Sequence, residues 1–394
     1  MSYPRLFLKP GKEESSKRFH PWIFSGAIMR ADSAVEEGDI VEVCDSKGNF
    51  IGVGHSQIGS IAVRILTFEK EELDCRFWAK RLTTAFEVRK SIGLVNPPVN
   101  DTYRLVHGEG DMLGGLIIDV YAQSAVMQAH TPGMHFARHD IAKAMVEVLG
   151  ENIKNIYYKS ETTLPYKAEL GQENEYLYGG EGDDIATENK LRFHVDWLKG
   201  QKTGFFVDQR ENRMLLERYS KDRSVLNMFC YTGGFSFYAM RGGADIVHSV
   251  DSSAKAIALT ERNVELNFGN DPRHRAYTED AFKYLDSMGD KYDLIILDPP
   301  AFAKHRNVLR NALQGYRKLN AKAFEKIRPG GIIFTFSCSQ VVSKEDFRLA
   351  VFSAAAMSGR NVRILHQLSQ PADHPINIYH PEGEYLKGLV LFVE

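Results

Sequence analysis

Apolar residues near the start of the chain come in short runs: Arg5-Leu-Phe-Leu8, Asp39-Ile-Val-Glu-Val43, Phe50-Ile-Gly-Val-Gly54 and Ile61-Ala-Val-Arg-Ile-Leu66. The clusters Glu36-Glu-Gly-Asp39 and Asp45-Ser-Lys-Gly-Asn49 separate them. Runs of this length, broken by Gly, Asp and Asn, predict strands joined by hairpin turns. Residues 1–72 therefore read as a small, mostly β module. Near Asp74 the period lengthens, and Phe77, Trp78, Leu82, Ala85, Phe86 and Val88 recur at near-helical spacing. Strand-like runs follow at 103–106, 115–120 and 124–128, then a helical stretch over 135–149 and a strand at 155–158. Strands around a helix predict an α+β domain over residues 73–185, closed by a polar, Gly-rich stretch at 169–184. After Ser224 the rhythm becomes strand, helix, strand, with strands at 224–229, 246–251, 292–298 and 331–337 and helices at 253–267 and 309–327. Continuous apolar strands alternating with helices predict a parallel sheet covered on both faces. The expected architecture is thus multidomain, ending in an α/β Rossmann-like domain over residues 186–394.

Composition narrows the class. The 394 residues are 43% hydrophobic and 25% charged, values of a globular chain long enough for two or three domains. No apolar run reaches the ~18 residues that cross a bilayer, and the first nine residues lack the apolar core of a signal peptide. No membrane partner and a cytoplasmic location are expected. Cys44, Cys75, Cys230 and Cys338 have neither zinc-ligand nor redox-motif spacing. Free thiols and no metal site follow. A net charge of −2 argues against a bulk electrostatic nucleic-acid binder. Locally, though, Arg5, Lys9, Lys12, Lys17, Arg18 and Arg30 face only Glu13 and Glu14 in the first thirty residues. Charge alone leaves a solvated face and an RNA-facing patch both open.

Candidate chemistry gathers where the predicted strands of the last domain end. In a doubly wound sheet, ligands bind beyond the carboxyl ends of the strands. The turn Asn227-Met-Phe-Cys-Tyr-Thr-Gly-Gly234 follows the first strand, and Gly233 with Gly234 lets the backbone approach a ligand. Asp251 ends the second strand, where a carboxylate can accept both hydroxyls of a ribose, with Ser252 beside it. The turn lacks the G-x-G-x-x-G cradle for a pyrophosphate. A nucleoside without phosphate fits, and S-adenosylmethionine (AdoMet) is such a ligand. Thr278-Glu-Asp-Ala281 follows the third strand; Asp280 could hold an adenine amino group and Ala281 offer its N–H, although a helix cap looks the same.

Leu297-Asp-Pro-Pro-Ala-Phe302 ends the fourth strand. Pro299 and Pro300 fix an extended exit and so hold Asp298 at the strand end, where it can hydrogen-bond a planar nitrogenous substrate while Phe302 stacks on it. Ser337-Cys-Ser339 ends the next strand, so Cys338 and Asp298 are expected to face one cleft. A pyrimidine C5 is a poor nucleophile, and attack of a thiolate on C6 turns it into an enamine-like carbon that can take a methyl group. Cys338 is the candidate nucleophile, with Asp298 stabilising charge at N3 or the exocyclic amine. Cys44, Cys75 and Cys230 read as packing residues.

Lys202-Thr-Gly-Phe-Phe-Val-Asp-Gln-Arg210, Tyr231-Thr-Gly-Gly-Phe235, Asp298-Pro-Pro-Ala-Phe302 and Thr335-Phe-Ser-Cys-Ser339 together resemble the bacterial 23S ribosomal RNA large subunit methyltransferase I family. The resemblance extends to His20-Pro-Trp-Ile-Phe-Ser-Gly-Ala27, which is similar to an RNA-binding, β-barrel PUA domain, and to Arg104-Leu-Val-His-Gly-Glu-Gly-Asp111 in the middle domain. It also covers Ala372-Asp-His-Pro375 and Pro381-Glu-Gly-Glu-Tyr-Leu-Lys-Gly388. Gly114 departs from it, standing where relatives often have Pro. The resemblance implies a PUA-like domain, a class I methyltransferase domain, AdoMet as cofactor, and 23S rRNA or a large-subunit precursor as partner. It implies that Phe206, Gln209 and Arg210 close over AdoMet, joined by Asn227, Phe229, Tyr231, Thr232, Gly233, Asp251, Ser252, Asp280, Ala281 and Asp298. It implies that Pro299, Pro300 and Phe302 meet the substrate and that Cys338 is the sole catalytic cysteine, because Ala301 falls near where many RNA 5-methylcytosine enzymes carry a second one. A homodimer remains one open oligomeric state.

Cytosine-C5 methylation is the leading expectation. Formation of 5-methyluridine uses the same thiol logic, but such enzymes usually continue Asp-Pro-Pro-Arg and Ser-Cys-Asn, where Ala301 and Ser339 stand here. N-methylation of the guanine exocyclic amine needs Asp-Pro-Pro and no cysteine. An RNA-binding ribosome-assembly factor with a vestigial pocket is the non-enzymatic alternative.

Overall fold

The computed structural model describes residues 3–165, 170, 173–288, 291–303 and 305–394. Its contacts divide the chain into two compact units. The first comprises residues 1–190, 195–207 and 372–383; the second comprises 191–194, 208–371 and 384–394. The division differs from the three expected domains in joining the first two and in placing 195–207 and 372–383 with them. Residues 169, 171 and 172 of the expected closing stretch lie outside the described residues.

The first unit opens with a mixed six-stranded sheet built from β1 (Arg5–Leu8), β2 (Trp22–Phe24), β3 (Ile28–Ala31), β4 (Ile40–Cys44), β5 (Phe50–Ser56) and β6 (Ile61–Thr67), in the order β2-β6-β5-β4-β1-β3. A one-turn helix, α1 (Glu14–Lys17), interrupts it. Leu6, Leu8, Ile23, Val41, Val43, Ile51, Val63 and Ile65 form its core. The basic residues of this stretch are partly engaged: Arg5 bonds Asp32, Lys9 bonds the Gly26 carbonyl, Lys17 pairs with Glu13, and Arg30 lies over the Phe7 ring.

Helix α2 (Cys75–Ser91) starts where Asp74 accepts the Phe77 N–H, an N-cap. It packs with α4 (Arg138–Leu149) on a five-stranded sheet, order β11-β10-β9-β8-β7. The strands are β7 (Thr102–His107), β8 (Leu116–Tyr121), β9 (Ser124–Ala129), β10 (Asn155–Tyr158) and β11 (Glu175–Tyr178). The helix expected from residue 135 is broken: α3 (Pro132–Phe136) is separate, with Pro132 at its start. Strand β12 (Ile185–Glu188) exchanges hydrogen bonds between Thr187 and Asp101. Arg89 is buried and makes a two-pronged pair with Asp111, at 2.5 and 2.8 Å, plus a bond to the Asp373 carbonyl.

The second unit runs β13 (Leu191–His194), α5 (Arg210–Tyr219), β14 (Ser224–Met228), α6 (Gly234–Arg241), β15 (Ile246–Asp251), α7 (Ala254–Phe268), β16 (His274–Thr278), α8 (Ala281–Ser287) and β17 (Leu294–Leu297). It continues through α9 (Leu309–Lys326), β18 (Gly331–Ser337), α10 (Lys344–Ser358), β19 (Val362–Leu368) and β20 (Lys387–Val393). Its seven-stranded sheet has the order β16-β15-β14-β17-β18-β20-β19. β14 to β18 are mutually parallel. β20 enters antiparallel between β18 and β19, beyond the parallel strands expected from the sequence. β17 and β18 are buried along their whole length, as central strands covered on both faces must be. Among the described residues, no helix is long and apolar enough to cross a membrane.

Burial also sets a pH limit. Burial pushes the imidazoles of His55, His248 and His274 down to about 4 from the ordinary 6.5. Nearby cations add to the shift at His248, through Arg275 and Lys291. Each is therefore held neutral in the folded chain, and charging it opposes folding. This stabilisation is complete above about pH 6.5 and is lost as pH falls from there toward 4. Thermal unfolding temperature is expected to drop between pH 6.5 and 5, before most carboxylates titrate; a flat profile across that window would contradict the assignment.

Candidate active site

The central strand β14 ends in a turn that is locally strained. Phe229, Tyr231 and Gly233 all have positive φ, at 58°, 48° and 83°. For the two aromatic residues this conformation costs roughly 1–3 kcal/mol each and persists only where the surroundings enforce it. Here they do. Cys230 N–H donates to the Val250 carbonyl and Gly233 N–H to the Cys230 carbonyl. Tyr231 N–H donates to Asp251 Oδ2 at 3.0 Å, while Thr260 and Asn263 of α7 donate to the carbonyls of Tyr231 and Thr232. The two glycines differ. A Cβ on Gly233 would lie 2.5 Å from the Phe237 ring and 2.7 Å from Thr260, whereas one on Gly234 would meet only the Arg213 side chain at 3.2 Å.

Beside this turn, Asp251 accepts Tyr231 N–H on one oxygen and Ser253 N–H, at 2.9 Å, on the other. Each oxygen keeps acceptor capacity for a further donor. Asp280 caps α8, taking the N–H groups of Phe282 and Lys283 on Oδ1, and is itself exposed. Asn227 turns inward. Its side chain is buried and begins a relay to Ser236, Ser249 and His274, at 2.9, 2.7 and 2.8 Å. The ends of β15 and β16 thus present carboxylate acceptors. That set suits the ribose hydroxyls and exocyclic amine of a nucleoside.

On the other side of β14, Leu297 of β17 pairs with Thr335 of β18. This register carries Asp298 and Cys338 out of the same end of the sheet. Gln209 Nε2 donates to Asp298 Oδ2 at 3.1 Å, and Asn212 Nδ2 to Gln209 Oε1 at 2.6 Å, so an amide chain orients the carboxylate. Both serines around Cys338 are locked: Ser337 bonds the Tyr316 hydroxyl at 2.9 Å and Ser339 bonds the Ala303 carbonyl at 2.6 Å. Cys338 between them is half-buried. Burial pushes the Tyr316 phenol up to about 12, with the charges of Cys338 and Asp298 adding to the rise. By contrast, burial raises the Cys44 thiol to about 11, and burial with the Asp251 charge raises Cys230 further. Neither is suited to form a thiolate.

Sequence comparison connects this geometry to a family. The S-adenosylmethionine-dependent methyltransferase profile matches residues 166–382, and a PUA-like domain profile matches residues 6–68. The Ribosomal RNA large subunit methyltransferase I of Tolumonas auensis is 39% identical over 394 residues, covering 98% of each chain. The chain belongs to the ribosomal RNA large subunit methyltransferase I family. Its fold is shared, over the full length of both chains, by a candidate AdoMet-dependent methyltransferase from Streptococcus mutans at TM-score 0.84 and 23% identity. SMU.776, a candidate methyltransferase complexed with S-adenosylhomocysteine, matches at TM-score 0.85 and 24% identity, again over both whole chains. AdoMet is accordingly the cofactor of this methyltransferase, and its donor groups fit the acceptor set at β15 and β16.

Within the second unit the structure brings Gln209, Arg210, Phe229, Tyr231, Thr232, Gly233, Asp251, Ser252, Asp280, Ala281, Asp298 and Cys338 to strand ends, adjoining turns or helix starts. Arg210 is buried at the start of α5. Phe206 belongs to the first unit, where Lys202 lies 4.9 Å over its ring. Pro299 is buried and Pro300 exposed, while Phe302 packs on Tyr316 with ring centroids 4.7 Å apart. Sequence reasoning missed Tyr316 and Lys387. Tyr316 reads as a core position of α9. Lys387 did leave a signal, a single lysine within the apolar run Leu386-Lys-Gly-Leu-Val390.

Replacing Gly233 with Ala is expected to destabilise the fold by about 1–3 kcal/mol, from the positive φ together with the contact against Phe237 and Thr260. Gly234→Ala meets a movable side chain and should cost less. Urea unfolding of the two variants checks the order; equal costs would show that the turn tolerates a Cβ at Gly233.

Proposed function

We propose that this protein methylates C5 of a cytidine in 23S ribosomal RNA through a covalent Cys338–C6 intermediate. The observation that carries this reading is the pairing of Ser337-Cys338-Ser339 with Asp298-Pro299-Pro300 at the ends of adjacent parallel strands, tied together by the Ser339–Ala303 bond. The names of the relatives support ribosomal RNA as substrate, and the PUA-like match at residues 6–68 supports an RNA contact. Under this reading the chain acts in the cytoplasm on 23S ribosomal RNA or a large-subunit precursor.

Asp251 would hold the ribose hydroxyls of AdoMet, the 229–233 turn would lie along it, and Asp280 with Ala281 would meet its adenine. Gln209 and Arg210 close the same pocket, and Gln209 also fixes Asp298. Cys338 adds as thiolate to C6, and the ring electrons move toward C5 and N3. Asp298 accepts a hydrogen bond from the exocyclic amine or, when protonated, donates one to N3, where charge accumulates. Phe302, backed by Tyr316, offers a ring face to the base, and Pro299-Pro300 keep the exit extended beside it. Bound AdoMet supplies an electrophilic methyl group for C5. A base or water takes the C5 proton, the C6–Sγ bond breaks to release the Cys338 thiolate, and the aromatic ring is restored.

Changing Cys338 to Ala is expected to lower 5-methylcytidine formation in 23S rRNA by roughly a thousandfold or more, while AdoMet affinity by calorimetry stays unchanged. Nucleoside mass spectrometry of the treated RNA reads the product. A Cys338→Ala enzyme that still methylates would sink the C5 mechanism in favour of N-methylation, and 5-methyluridine as product would sink cytosine as the target.

A further inference from the structure

The turn that carries Cys338 is held by a buried lysine to which the proposed chemistry gives no part. Lys387 opens β20 directly opposite Ser337 of β18, is only 6% exposed, and lies among buried Leu386 and Leu389. Its ammonium donates to the Ser339 carbonyl at 2.5 Å and the Val342 carbonyl at 2.7 Å, bracketing the chain just beyond Cys338. An alkyl side chain would fill the same space without the cost of burying a charge. Two carbonyl groups do not balance that charge.

We infer that Lys387 is a positioning residue for Cys338: its ammonium clamps the turn after β18 and is the fixed positive charge that favours the Cys338 thiolate. The inference rests on the reading of Cys338 as nucleophile. The surrounding groups give the sign. Burial lowers Lys387 to about 8, and the charges of Cys338 and Glu384 pull it back up, against Lys344. At neutral pH the lysine therefore keeps its proton. An interaction in which a thiolate stabilises an ammonium must equally stabilise the thiolate. Glu384 is already paired with Lys344 at 2.7 Å. Tyr316, on the α9 side, stays neutral at its raised value and contributes a dipole rather than a charge. Asp298, if ionised, opposes the thiolate. Lys387, on the strand beside the Cys338 turn, is a cation that can offset Asp298.

The test reads the thiol itself and needs neither RNA nor AdoMet. Full-length protein is alkylated with iodoacetamide across a pH series, and the Cys338 peptide is followed by mass spectrometry, separately from Cys44, Cys75 and Cys230. In the unaltered protein the midpoint should lie below the ordinary thiol value of about 8.5. Lys387→Met should raise it by roughly one unit or more, slowing alkylation at neutral pH about tenfold. Lys387→Arg, which keeps the charge, should stay close to the unaltered protein. A midpoint at or above about 8.5 in the unaltered protein, or the same midpoint in Lys387→Met, overturns the inference. If Lys387→Met does not fold, Lys387→Gln is measured in its place, and an unmoved midpoint there overturns the inference. An active Cys338→Ala enzyme would overturn the proposed function while leaving this thiol measurement intact.

Discussion

In the second unit the chain lays β14 down first, adds β15 and β16 on one side, then returns and adds β17 and β18 on the other. Parallel strands need crossover helices, and where the direction of winding reverses, the helices on either side lead away from each other. That order makes the carboxyl ends of β14 and β17 the switch point, where ligands bind in sheets of this kind. The features of the candidate site follow from that constraint. The strained 229–233 turn leaves β14, Asp251 closes β15, Asp298 leaves β17, and Cys338 leaves β18. None of these residues needs a special fold of its own; each is the last residue of a strand or lies directly after one.

That placement alone would leave those side chains loose. Hydrogen bonds to groups behind them make the geometry specific. Asp251 is fixed by two backbone N–H groups, and Asp298 by the Gln209–Asn212 amide chain. Ser337 and Ser339 give their hydroxyls to α9 and to the segment after β17, which confines Cys338 without covering it. The same economy explains the turn. Positive φ at Phe229 and Tyr231 is tolerated because α7 and Asp251 hold the surrounding backbone. The first unit applies the same rule to structure rather than chemistry, with Arg89 buried because Asp111 and the carbonyls of Arg104 and Asp373 meet its guanidinium fork.

Pattern along the chain was enough to locate β14, β15, β17 and β18 and the residues that follow them, because a buried strand announces itself by a local apolar run and its end by Gly, Pro or Asp. Asp298, Cys338, Asp251 and Gly233 were legible for that reason. Role was less legible than place. Asn227 and Gly233 belong to the same motif, yet the Asn227 side chain is held in a buried hydrogen-bond relay that the sequence did not announce. Asp280 caps a helix, as its sequence context also allowed.

By itself the sequence determined the class of fold, the family, and the residues at the strand ends, since these depend on neighbours a few positions apart. Only the tertiary structure decided that the last strand runs backwards between β18 and β19, because strand pairing is settled by contacts far apart in sequence. That reversal sets Lys387 against Ser339, 48 residues away. Burial then decides the charge balance around Cys338, and a lone lysine in an apolar run becomes part of the thiol's environment.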